Sequence, residues 1–164
     1  MSLNRTQFGF TLLEVMVAII VLSLGLLGLA GLQAASLRNN QTAYYRGIAT
    51  QQAYDMADRI RANLAGVRAG DYKLRTGIPT DPACFTTGCS AADMATTDVF
   101  QWNTANAALL PDGVGTVTCV DGPPAAGCTA PTPTGTWAFD ITVRWTERTE
   151  AGSGTRSFVT RIAP

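Results

Sequence analysis

The chain contains no histidine among its 164 residues. Catalysis by a serine or cysteine nucleophile that a histidine activates is therefore excluded. The sequence also lacks a glycine-rich phosphate loop and a dense aspartate loop of the EF-hand type. Asp93, Asp98 and Asp112 could contribute to a calcium site, but they do not form such a loop. We therefore predict that the protein is not an enzyme and has no cofactor, metal or small-molecule substrate.

Charge is sparse, with 12 basic and 12 acidic residues, so no general basic field predicts binding to nucleic acid. One basic cluster comprises Arg59, Arg61, Arg68, Lys73 and Arg75. We interpret it as a solvated or ion-paired surface, rather than as a site for DNA or an acidic partner. Two carboxylate pairs, Asp55 with Asp58 and Glu147 with Glu150, are interpreted as solvated faces and turns.

A long apolar segment, Phe10 to Leu32, contains a single charged residue, Glu14. A helix of this length spans a bilayer core of about 30 Å. An acid in such a segment costs about 2.5 kcal/mol or more, and therefore suggests a function. No Ala-x-Ala-like cleavage site closely follows the segment. Arg5 precedes it, which favours a cytoplasmic N-terminus and an exported remainder.

The motif G-F-T-L-L-E-V, from Gly9 to Val15, resembles the class III signal of type IV pilins and pseudopilins. The resemblance implies that prepilin peptidase, a membrane aspartic peptidase, removes residues 1–9 by cutting after Gly9. It also implies that the same enzyme methylates the new N-terminal Phe10. Glu14 is then the fifth residue of the mature chain. An ordinary signal anchor with a stray acid is the alternative, but it leaves the cost of Glu14 unexplained.

Cleavage would create a positively charged amine at Phe10. When mature helices pack side by side, the amine of one subunit can approach Glu14 of another. Two unit charges 4 Å apart attract by about 4 kcal/mol at an effective dielectric constant of 20. We therefore expect Glu14 to set the register of this subunit against its neighbour.

Helical patterning continues beyond the apolar segment, because residues 33–65 contain no proline and one glycine. One face collects the apolar side chains at helical spacing: Ile48, Ala49, Ala53, Met56, Ala57, Ile60 and Leu64. Asp55 and Arg59 form an i, i+4 pair. We predict one helix from Thr11 to Leu64, with a transmembrane half over 10–32 and an amphipathic half over 33–65. Two helices broken near Arg38–Thr42 are the alternative.

The remainder, 66–164, is predicted to form a small head. A short helix is expected over Asp98–Leu110, and alternation predicts strands over Gly115–Asp121, Trp137–Arg148 and Thr155–Ile162. Residues 150–154 would join the last two strands as a hairpin, and the proline-rich segment 122–135 would join the first two. The resulting fold class is α+β, with the amphipathic half of the helix packed on an antiparallel sheet, as the pilin resemblance also implies.

Four cysteines follow the apolar segment: Cys84, Cys89, Cys119 and Cys128. Their even number in an exported domain favours disulfides over zinc, because the spacing is unusual for zinc and no histidine is present. Four cysteines allow three connectivities. We favour Cys84–Cys89 and Cys119–Cys128, since each pair flanks a short loop.

Three further segments resemble the PilV group of minor pilins, the type IV pilus modification proteins: Met56–Asn63, Leu110–Gly113 and Ile141–Trp145. This resemblance implies an inner-membrane subunit with a periplasmic head that joins the pilus and contacts major and minor pilins through its helix. A minor pseudopilin of a type II secretion system is one alternative. A membrane-anchored periplasmic binding or adhesin domain that never assembles is another.

Overall fold

The structure, a computed structural model, describes residues 9–121, 137–149 and 152–164. The chain divides into two compact units, Met1–Gln41 and Thr42–Pro164. The elements in chain order are α1 (Leu12–Ala62), α2 (Leu64–Ala69), β1 (Leu74–Thr76), α3 (Cys84–Thr87), α4 (Ala91–Leu109), β2 (Val114–Asp121), β3 (Ala138–Thr149) and β4 (Gly152–Ile162). A long N-terminal helix and a four-stranded antiparallel sheet confirm the predicted α+β class.

The described part of the first unit is the N-terminal portion of α1 and the three residues before it. Every described residue before Thr42 is exposed, including large aliphatic side chains such as Leu13 (73%) and Leu27 (77%). A helix that is apolar all round and covered by nothing in its own unit is typical of a helix surrounded by lipid or by other helices. The alternative of a break near Arg38–Thr42 is wrong, because α1 continues through this region.

In the second unit, the C-terminal part of α1 buries one face. The buried residues are Ala49, Ala53, Met56, Ala57 and Ile60, which confirms most of the predicted apolar face. Leu64 is an exception, because it is 44% exposed. The helix ends within two residues of the predicted end near Leu64. α1 ends at Ala62, and the Asn63 side chain accepts a hydrogen bond from the Gly66 amide at 3.1 Å, which caps α2 instead.

The sheet has the strand order β1-β2-β3-β4 with every pair antiparallel. The predicted inward face of β3 is confirmed, because its alternate residues are buried: Phe139, Ile141, Val143 and Trp145. β1 was not predicted, since three residues are too few to show alternation. Gly152, Ser153 and Gly154 belong to β4 and not to the predicted hairpin loop. The predicted proline-rich connection, 122–135, lies outside the described residues.

Helix α4 closes the core beside α1. It begins at Ala91 rather than at the predicted Asp98, because the Ser90 hydroxyl oxygen caps it by accepting a hydrogen bond from the Asp93 amide at 3.1 Å. Trp102 is fully buried, and its indole N–H donates to the carbonyl of Gln52 in α1 at 2.8 Å. A Cβ on Gly115 would lie 2.3 Å from the Trp102 ring, so this close contact between α4 and β2 requires glycine.

Candidate functional site at the N-terminal motif

The first turn of α1 places Glu14. The Glu14 amide donates to the carbonyl oxygen of Thr11 at 3.1 Å and to its hydroxyl oxygen at 3.2 Å. Thr11 is therefore the N-cap and Glu14 the third helical residue, which is the spacing of a capping box. Sequence analysis missed this role, although T-x-x-E is visible in the sequence. A carboxylate at this position also interacts favourably with the helix dipole.

The Gly9–Phe10 peptide bond precedes α1, and both of its residues are exposed, Phe10 by 84%. An exposed bond outside a helix or strand is open to a peptidase. Apart from its two chain neighbours, no described residue places an atom within 4 Å of the position that a Cβ on Gly9 would take. The described packing of the chain therefore does not require glycine at this position.

The Glu14 side chain belongs to an exposed apolar surface of α1 that includes Phe10, Val15, Ala18 and Ile19. In the described part of the chain, no cationic side chain forms a salt bridge with its carboxylate. The carboxylate is thus available to a cation from outside the described residues.

The apolar part of α1 has a mean hydropathy of 2.7 over 18 residues, none of them buried. Among the described helices, α1 alone is long and apolar enough to cross a membrane, by length and composition only. A signal sequence near an N-terminus has the same properties.

The cysteines lie in the second unit, whereas Gly9, Phe10 and Glu14 lie in the first. Cys84 and Cys89 form a disulfide with a Cα–Cα distance of 5.0 Å, and α3 occupies the loop between them. Cys119 is buried in β2. Cys128 lies outside the described residues, so the Cys119–Cys128 pair stays a prediction.

The three aspartates considered for calcium have other local roles. Asp93 accepts a hydrogen bond from the Ser90 hydroxyl at 2.7 Å, and Asp112 lies in a turn with φ of 50°. Asp98 is 7% exposed and accepts a hydrogen bond from the Tyr72 hydroxyl at 2.5 Å. Burial, together with this bond to Asp98, holds the pKa of Tyr72 well above its usual range. Across the described ranges, no three His, Cys, Asp or Glu residues are grouped as metal ligands.

Glu147 requires a correction, because we predicted a solvated turn and the structure buries it to 7% exposure. One carboxylate oxygen accepts a hydrogen bond from the Thr42 hydroxyl. The other accepts from Arg156 Nε at 3.3 Å. Thr42 is 105 residues away in sequence, so no local pattern identifies this partner.

Residues of the basic cluster form ion pairs and hydrogen bonds. Arg59 contacts Asp55 at 2.9 Å, which confirms the predicted i, i+4 pair, and also reaches Asp98 at 3.5 Å. Arg61 pairs with Asp58 at 2.9 Å. This arrangement agrees with the interpretation of an ion-paired surface.

Residues 4–30 match the family model described as the prokaryotic N-terminal methylation motif. The match contains Gly9, Phe10 and Glu14 and most of the apolar segment, and it leaves the head uncovered. In this region the chain is similar to type IV pilin-like proteins of pili or pseudopili, which are structural subunits processed by prepilin peptidase. No curated protein and no solved structure matches the chain.

Proposed function

We propose that this chain is a PilV-like minor pilin, a structural subunit that primes or modifies the assembly of a type IV pilus. It is anchored in the bacterial inner membrane with its head in the periplasm, and it enters the tip complex when the pilus forms. It supports motility and adhesion through assembly, and it performs no chemistry itself.

The observation that carries the proposal is the combination of Gly9, Phe10 and Glu14 ahead of an exposed apolar helix. The bond that prepilin peptidase would cut is exposed and precedes α1. Since the fold does not require Gly9, recognition by the peptidase is the reason we assign to this glycine. Methylation then occurs at the released amine of Phe10.

Assembly follows from the Glu14 carboxylate, which forms no salt bridge within the described residues. A carboxylate surrounded by Leu, Ile and Val side chains in a membrane is costly, whereas a carboxylate paired with a cation is much less so. The released amine of a neighbouring subunit supplies that cation. The pair selects one register between the helices, because other registers leave two charges unpaired.

Intact mass of the protein purified from membranes tests the processing step. We expect a chain that begins at Phe10 and carries one added methyl group. A Gly9→Val variant should remain uncut, whereas Gly28→Val, the same change at another open position of the chain, should be cut normally. An uncut wild-type chain beginning at Met1 would remove the proposal.

Two variants separate the charge of Glu14 from its capping role. Glu14→Gln keeps a capping-box residue but removes the charge, while Thr11→Ala removes the cap and keeps the charge. We expect co-purification with other pilins in detergent to be lost in Glu14→Gln and in Glu14→Ala, and retained in Thr11→Ala. Retention in Glu14→Gln, with loss in both Glu14→Ala and Thr11→Ala, would instead assign Glu14 a purely helical role.

A minor pseudopilin of a type II secretion system is the second candidate, because the methylation motif occurs in pseudopili as well as in pili. Deletion of the gene distinguishes the two. A minor pilin predicts fewer surface pili and weaker twitching with normal secretion, and a pseudopilin predicts the reverse. A periplasmic binding or adhesin domain that never assembles predicts no co-purifying pilins at all.

A further inference from the structure

A cavity of about 450 Å³ lies within the second unit, where the C-terminal part of α1 faces strands β3 and β4. Its lining residues are Arg46, Thr50, Trp145, Arg156, Ser157 and Phe158. The volume is in the range of small-ligand sites. The lining combines two guanidinium groups with two aromatic side chains, and neither the N-terminal motif nor the proposed assembly contact uses it.

The charges at this cavity favour an anion of low charge. Arg46 is exposed, and within the described residues no acidic side chain forms a salt bridge with it. Arg156 contacts Glu147 through Nε at 3.3 Å, which leaves its two terminal nitrogens as further donors. Two cations and one carboxylate leave a net positive charge. Glu147 disfavours a dianion such as phosphate, because like charges repel.

Trp145 lies beside these arginines and carries a buried donor. The residue is 2% exposed, and among the described residues its indole N–H, which protein atoms cover, has no hydrogen-bond partner. Trp145 is paired with Arg156 in the register of β3 and β4, so the two side chains project from the same face of the sheet. Buried donors are usually paired, and a native exception calls for an explanation. The Thr50 hydroxyl already donates to the Arg46 carbonyl at 2.8 Å, and the charged donors of the lining are the guanidinium groups of Arg46 and Arg156.

We propose that this cavity binds a carboxylate group. A planar carboxylate accepts paired hydrogen bonds from a guanidinium, and such charge-assisted bonds are stronger than neutral ones. Arg46 and Arg156 are the primary ligands. The indole N–H of Trp145 is covered by protein atoms. Its NMR signal therefore reports occupancy indirectly, through the displacement of neighbouring side chains. The carboxylate comes either from a free organic acid or from an acidic side chain of a protein.

The test is an NMR titration of the full chain in detergent micelles, observed at the assigned indole signal of Trp145. Sodium acetate, a monocarboxylate, is the probe, with sodium chloride added to the reference to match ionic strength. We expect a saturable shift with acetate and none with chloride. Arg46→Gln should weaken binding about tenfold or more. Arg68→Gln removes the same charge from an exposed position on α2 and should bind as the wild type does.

Arg46 is the residue to change, because removing Arg156 would leave the buried Glu147 without its ion-pair partner. A shift that does not saturate, or equal affinities for wild type and Arg46→Gln, would overturn the proposal. A short peptide with a single glutamate and blocked termini identifies the source of the carboxylate. Tighter binding of the peptide than of acetate, lost in Arg46→Gln, supports a protein side chain. Tighter binding of acetate than of the peptide, also lost in Arg46→Gln, supports a free organic acid.

Discussion

Helix α1 has two regions that differ in what surrounds them. Residues 12–41 expose every side chain, and Ile20 is 56% exposed. Residues 42–62 bury one face in the core of the second unit, where Ile60 is fully buried. The first region gains no burial within its own unit, so its apolar surface is open to lipid or to other helices. The second is stabilised by its own head.

The composition of the two regions explains this difference. Leucine, isoleucine and valine surround the helix in residues 12–32, as in a lipid-facing helix. In residues 42–62 the buried face is largely alanine, which lets the helix approach neighbouring elements closely, and Met56 and Ile60 fill the remaining space. One continuous helix can therefore serve an assembly contact and a folded core with different residues.

The largest expected effect is a difference in stability when the same substitution, isoleucine to alanine, is made in each of the two regions of α1. Ile60→Ala should lower the free energy of unfolding of the head by about 2–5 kcal/mol, because it leaves a cavity in the core. Ile20→Ala should change it by less than about 0.5 kcal/mol. All three tryptophans lie in the second unit, so their fluorescence during urea unfolding in detergent measures this unit. Equal losses for both variants would contradict the separation of the two regions.

The next effect concerns the residue at which the second region begins. Thr42→Val keeps the side-chain shape but removes the hydroxyl that donates to Glu147. We expect a loss of about 1–2 kcal/mol, since hydrogen bonds to buried charged groups are among the stronger ones. Hydrogen exchange at residues 42–46 should become faster as well.

Thr104→Val is the matched control for this prediction. The Thr104 hydroxyl is exposed and donates within its own helix to the Phe100 carbonyl. Its removal should leave stability within about 0.5 kcal/mol of wild type. Similar losses at Thr42 and Thr104 would show that the contact with Glu147 contributes nothing specific.

Apolar periodicity predicted the parts of the fold that burial of apolar side chains determines. The buried face of α1 around Ala53 and Met56 and the inward face of β3 follow from spacings of 3.6 and 2 residues. The burial of polar side chains did not follow from such spacings. Asp98 and Glu147 are buried because Tyr72 and Thr42 bind them across 26 and 105 residues, and no local spacing encodes such distant pairs.

At the N-terminal site, the chemical pattern of Gly9, Phe10 and Glu14 was visible in the sequence, and the match to the methylation motif supports it. The capping contact between Thr11 and Glu14 is also encoded locally, by the T-x-x-E spacing, although it was not predicted. The cavity beside Trp145 could not be predicted, since Arg46 in α1 and Arg156 in β4 line the same cavity only in the folded second unit.

The smallest effect concerns charge on the outer face of the sheet, in contrast to residues 12–32 of α1, where Glu14 is the one charged residue. Arg161 donates two hydrogen bonds to Asp140, at 2.7 and 2.8 Å, and these hold the pKa of Asp140 below its usual range. A depressed folded pKa gives stability that is present above the unfolded value, about 3.9, and is lost as the pH falls through the folded value.

Asp140→Asn should therefore flatten the acid limb of stability against pH, with a loss of the order of 0.5 kcal/mol at neutral pH. Arg161→Gln should flatten it equally, and the double variant should add nothing further, because both changes remove the same pair. Urea unfolding between pH 2.5 and pH 7 provides the measurement, and additive effects in the double variant would mean that Asp140 and Arg161 contribute independently rather than as a pair.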